Sequence, residues 1–244
     1  MTVASMDAGR SFRIGKVLGR AFESLIANFV FFLSITLVVA LPNLLFELRP
    51  EMVETTLFQQ GGYAIVFLLG IVLNTIGQAV ILFGAFQRLR GQPLQVGEAV
   101  QKVLARIFPL LGLAILYSLA VGLGLVLLAV PGLFLIVMWT VVVPACVVEG
   151  LGPTDSMRRS ARLTEGHRWS IFGMMAVFFV AIVVVSGIID VLLTPAGSTV
   201  RVVGDTIWAA VWTAYWDCVL IMTYHDLRVA KEGIDIEQIA SVFD

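Results

Sequence analysis

The sequence predicts an all-α membrane protein, built from six transmembrane helices with short amphipathic helices on the cytoplasmic face. Three observations carry that prediction. Of 244 residues, 59% are hydrophobic and 14% charged, whereas a soluble domain sits near ~45–50% apolar and ~25% charged. Several apolar runs reach the roughly 20 residues that cross about 30 Å of hydrocarbon as a helix. The runs show no apolar–polar alternation, so a closed barrel is excluded. Finally, the basic residues fall almost entirely in alternate loops, which fixes an even number of crossings.

Residues 13–25 form an amphipathic helix, with Ile14, Val17, Leu18, Ala21, Phe22 and Leu25 on one face and Arg13, Lys16, Arg20 and Glu23 on the other. Such a helix lies in the membrane interface or packs on neighbouring helices, and the interface is the expected place. The first span covers about residues 28–48, kinked by Pro42. A polar loop leads to the second, about 63–86, which carries Asn74, Thr75 and Gln78 near its middle. A second amphipathic helix, about 96–106, precedes the third span, about 108–130, whose glycines permit close helix approach. Pro131-Gly132 reads as a tight turn. The fourth span, about 133–148, is short and interrupted by Pro144. A third amphipathic helix, about 154–168, carries Arg158, Arg159 and Arg162 on one face. The fifth and sixth spans cover about 170–193 and 203–224, the latter with Trp208, Trp212 and Trp216 on one stripe. A last amphipathic helix is expected at about 235–243, opened by the capping pair Asp235 and Gln238.

Charge sets the topology. Of the 16 Lys and Arg residues, only Arg49 and Arg201 fall in loops on the far side. The rest fall in the N-terminal segment, the second and fourth connections and the tail, so both termini are expected in the cytoplasm. The opening residues lack the early apolar region of a signal peptide. An amphipathic helix followed by two spans recurs three times, a loose repeat within a single membrane domain of residues 1–244. In transporters such repeats border the site; a duplicated stable hairpin is the plainer explanation.

The residues that carry chemistry are few. Asp217 lies inside the sixth span, where a charge costs about 2.5 kcal/mol or more and must find a partner. Asn74 and Gln78 of the second span are the nearest candidates. A proton or ion relay is one use for this patch, and a structural contact between helices is the commoner one. Arg158, Arg159, Arg162 and Arg168 suit anionic lipid headgroups or a membrane-protein partner, although topology alone accounts for most of that charge. Glu149 is expected to pair with Arg158, Arg159 or Arg162. The tryptophan stripe fits helix packing better than a lipid groove. Cys146 and Cys218 both fall in apolar segments and read as buried hydrophobes. His167, His225 and Asp226 lack metal-ligand spacing, and no nucleotide-binding or nucleophile motif is present. No cofactor and no metal are expected. A net charge of −1 gives no reason to expect nucleic acid.

Pro131-Gly132, Pro144, Val148-Glu149-Gly150, Ser160, Leu163-Thr164, Gly166 and Trp169, together with the tail LRVAKEGID, resemble bacterial YciC-like inner-membrane proteins. They also resemble the membrane domain joined to some glycerophosphoryl diester phosphodiesterases. The resemblance implies a polytopic helical domain of the bacterial inner membrane, and the residues up to Asp244 hold no phosphodiesterase catalytic domain. The expected function is therefore non-enzymatic: a scaffold or lipid-interacting factor in envelope maintenance. The alternative is a small transporter or permease subunit using Asp217.

Overall fold

A computed structural model describes residues 13–48, 62–89 and 95–233. Every regular element among them is helical. The chain runs through α1 (Ile14–Ala27), α2 (Phe29–Leu48), α3 (Gly62–Leu89), α4 (Val96–Leu104) and α5 (Ile107–Leu127). It continues with α6 (Ala129–Met138), α7 (Val142–Glu149), α8 (Pro153–Thr164), α9 (Arg168–Leu193) and α10 (Ser198–Glu232). The expected loop after the first span and the amphipathic helix at 235–243 lie outside the described residues.

Three helical stretches are long and apolar enough to cross a membrane: Ile107–Leu127, Ala129–Glu149 and Arg168–Ala196. A fourth candidate is the pair α1 and α2, which meet at 87° across Asn28. The outer faces of these helices are apolar and uncovered, with Phe108, Val126, Val130 and Val191 all more than two-thirds exposed. A contiguous apolar surface of that extent needs a non-aqueous neighbour, and the protein is membrane-associated.

α10 is the centre of the packing, touching α1, α2, α3, α7, α8 and α9. From Asp217 to Tyr224 every residue is buried, so this part of the helix is covered on all sides. α1 buries Val17, Ala21 and Leu25, leaves Phe22 and Ile26 exposed, and packs on α10. Much of the apolar face expected to meet the interface is thus covered by protein. Tyr215 of α10 holds this contact by donating to the Leu18 carbonyl at 3.2 Å. Arg20 of α1 adds an ion pair to Asp226 at 2.8 Å.

The expected turn at Pro131-Gly132 is corrected. The chain turns at Leu128, whose backbone is extended, and Pro131 and Gly132 lie in the first turns of α6. Proline is tolerated there because the first helical N–H groups have no intrahelical partner. Gly132 serves close packing instead. A Cβ at this position would meet the Leu125 Cγ at 2.5 Å and backbone nitrogen at 2.7 Å, so α6 lies directly on α5.

The short fourth span is a broken one. α6 and α7 are separated at Trp139–Val141, which leaves carbonyls without helical donors. Thr140 folds its hydroxyl back to the Ile136 and Val137 carbonyls at 3.0 and 2.8 Å. Ser160 and Thr164 of α8 both donate to the Met138 carbonyl, at 3.0 and 3.1 Å. α7 then ends at Gly150, which adopts the left-handed φ of 71°. A side chain there would be strained and would meet the Arg106 guanidinium.

Candidate functional site

Two polar constellations stand out, one inside the bundle and one at its end. The inner one starts from Asp217, whose side chain is fully buried. Gln78 of α3 donates from Nε2 to Asp217 Oδ1 at 3.2 Å. Asp217 Oδ2 has no hydrogen-bond partner among the described residues. Neither does the buried Trp212 Nε1, just over one turn earlier on α10.

Both residues line a cavity of about 640 Å³ bordered by α2, α3, α9 and α10. Asn43, Asn74 and Gln78 supply further polar wall, and Phe178 and Trp216 supply aromatic wall. A second cavity of about 630 Å³ shares Asn43, Asn74, Gln78 and Trp216 and extends toward Tyr117, Trp139 and Thr140. Asn74 is exposed, since it opens onto both volumes. The three residues expected from sequence to form a polar patch, Asp217, Asn74 and Gln78, therefore converge. Asn43, beside the Pro42 of α2, joins them; its signal in the sequence was a polar side chain inside an apolar run.

The tryptophan stripe packs, as its spacing suggested. Phe178 of α9 lies 4.8 Å from Trp212 and 4.7 Å from Trp216 between ring centroids. Trp208 donates to Ser186 Oγ at 3.0 Å. Trp212 and Trp216 of the stripe also line the cavity, so for these two packing and lining are the same surface.

The second constellation closes the end of the bundle where α7 passes to α8 and α10 terminates. Arg159 Nε donates to both oxygens of Glu149 at 2.8 Å. Its terminal nitrogen reaches Glu232 Oε1 at 2.5 Å. Glu232 also receives Arg228 Nε at 3.2 Å. Arg228 donates to the Tyr224 hydroxyl at 3.4 Å, which donates in turn to Glu149 at 2.6 Å. The five side chains form a closed ring. Burial alone would lower the basicity of Arg159, but Glu149 and Glu232 outweigh it and hold the guanidinium above its ordinary value. For Glu232, burial pushes upward, while Arg159 and Arg228 prevail and hold the carboxyl below its ordinary value.

This arrangement corrects the grouping of the four arginines. Arg158 and Arg162 are exposed, whereas Arg159 turns inward and is occupied by two carboxylates. The buried face of α8 is Ser156, Ser160, Leu163 and Thr164, and Arg159 borders it. Arg168 donates to the Ala161 carbonyl at 3.3 Å and its guanidinium lies 5.0 Å from the Phe134 ring centroid, so it secures the α8–α9 elbow. Of the three arginines weighed as partners for Glu149, the structure selects Arg159. Asp190 pairs with Arg201 at 2.6 Å.

His225 Nδ1 lies 3.3 Å from Asp226 Oδ1, and no group of three or more His, Cys, Asp or Glu that could hold a metal occurs among the described residues. Cys146 and Cys218 are both free and buried.

No curated protein and no solved structure matches the chain. Residues 32–224, which contain the cavity walls, Glu149, Arg159 and Tyr224, match the family described as a domain of unknown function (DUF7847), and the chain belongs to that family.

Proposed function

We propose that the protein is a non-enzymatic, six-span membrane protein whose bundle takes a small polar solute into the cavity beside Asp217. One observation carries this reading. A fully buried carboxyl with an unpartnered oxygen lines a cavity of about 640 Å³, and a buried unsatisfied polar group in a concave site marks binding. The six spans are α2, α3, α5, the broken α6–α7, α9 and the middle of α10. The element order supports them, because α1, α4 and α8 each precede a pair of longer helical segments, in a loose threefold repeat. Basic-residue bias supports cytoplasmic termini, and the resemblance to YciC-like proteins supports a bacterial inner membrane. That likeness includes Ser160 and Thr164, which brace the broken helix.

Cysteine accessibility tests the reading. In a background with Cys146 and Cys218 replaced by Ala, Asn74→Cys and Thr213→Cys react with a membrane-impermeant maleimide, and Val180→Cys on the outer apolar face does not. Unreactive Asn74→Cys and Thr213→Cys would remove the solute site.

A second reading, a scaffold that engages anionic lipid, rests on Arg158 and Arg162. Both are exposed and border a surface cavity with Asp155. If it holds, native mass spectrometry finds anionic lipid retained by the purified protein and lost from Arg158→Gln/Arg162→Gln.

A further inference from the structure

We infer that the solute taken into the Asp217 cavity is a small organic cation, an ammonium-bearing molecule held between the carboxylate and aromatic faces; this rests on the solute-binding reading above. Charge gives the sign. Asp217 is the acidic residue of the cavity wall, and no ion pair reaches it among the described residues. Gln78 satisfies one oxygen only. A cation brought to the second oxygen would supply the opposite charge that favours the ionised form of a buried carboxyl.

The walls give the class. Phe178 contacts both Trp212 and Trp216, and the three line the same volume as Asp217. Aromatic faces attract a cation through the ring quadrupole, and tryptophan does so best. A bare inorganic ion uses neither these faces nor a volume of about 640 Å³, which lies within the range of about 300–1,000 Å³ typical of small-molecule sites. Multivalent metals are disfavoured further, because no cluster of ligating side chains occurs among the described residues. The unpartnered Trp212 Nε1 offers one donor beside the carboxylate. The best fit is therefore an ammonium group whose substituents touch the rings, with a hydrogen-bond acceptor a few atoms away.

Equilibrium dialysis with radiolabelled choline tests this on the full chain in lipid nanodiscs. The comparison ligand is dimethylbutanol, the uncharged isostere of choline. Choline is expected to bind saturably and the isostere about tenfold or more weakly, a ratio set by the charge. Asp217→Asn should abolish that preference. Phe178→Leu should weaken choline about threefold to tenfold and leave the isostere unchanged, and it serves if Asp217→Asn does not fold. Equal binding of both ligands, unaffected by either substitution, overturns the cation inference and leaves the solute site standing. So does an absence of choline binding while Thr213→Cys still reacts with maleimide. Displacement of choline by sodium chloride, with Phe178→Leu silent, assigns the site to an inorganic ion and also overturns it. No binding together with unreactive Thr213→Cys removes the site itself.

Discussion

Replacing Arg159 with Met keeps the aliphatic stem and removes the cation that bridges Glu149 and Glu232. A hydrogen bond to a charged partner contributes about 1.5–3 kcal/mol net. Arg159 makes a bifurcated one to Glu149 and a second to Glu232. Breaking a fully buried pair costs about 3–5 kcal/mol, while exposed pairs give about 0.2–1 kcal/mol. The three side chains are 17%, 19% and 24% exposed, nearer the buried limit. A loss of about 2–4 kcal/mol follows. At roughly 2–4 °C per kcal/mol for a chain of this size, the midpoint should fall by roughly 4–16 °C. The assay is thermal unfolding in detergent at one fixed scan rate, with Arg158→Met as control. Arg158 is 78% exposed and 3.7 Å from Asp155, so its loss should stay within about 0.5 kcal/mol. Equal shifts in the two variants, or a fall under about 1 °C for Arg159→Met, would refute the ring as a stabilising unit.

The other expectations are shorter. Asp217→Asn keeps a partner for Gln78 while removing a buried, half-satisfied carboxyl, so its melting midpoint should be unchanged or higher even as solute binding is lost. Gly132→Val should cost about 1–3 kcal/mol by forcing α6 off Leu125, read as a lower midpoint and easier proteolysis of the α5–α6 hairpin. Ser160→Ala and Thr164→Val share one acceptor, so each alone should be mild. Together they should cost about 1–3 kcal/mol, and additive single effects would contradict the shared role. Glu232 has its folded pKa held below the ordinary value of 4.5. Its contribution is therefore present above that pH and is lost as pH falls through the depressed value. Stability measured from pH 6 downward should decline, and Glu232→Gln should flatten that decline.

The helices were legible because long apolar runs and 3.6-residue periodicity are local properties. α2 was expected at residues 28–48 and forms at Phe29–Leu48; α9 was expected from residue 170 and begins at Arg168. The Asp217–Gln78 contact was legible for a physical reason: a polar side chain in an apolar run must find another. Other features depend on three dimensions. Pro131-Gly132 has the composition of a turn, yet the reversal falls at Leu128, and only the approach of α5 explains the glycine. On α8 the sequence presents its arginines as one charged group. The small hydroxyl residues decide which side turns inward, and they take Arg159 with them. Glu232 and Arg228 join Glu149 across more than 70 residues, a distance no periodicity reports.

The broken α6–α7 segment also bears on how the chain is made. Met138 emerges from the ribosome before Ser160 and Thr164, the two hydroxyls that satisfy its carbonyl. Until α8 is synthesised, that carbonyl needs water or another temporary donor, since hydrocarbon offers none. The segment is thus suited to waiting at the edge of the insertion machinery rather than partitioning at once into lipid. Glu232 arrives later still and completes the attachment of Arg159 to α10. Two late stretches, α8 and the end of α10, thus carry groups that an earlier stretch needs.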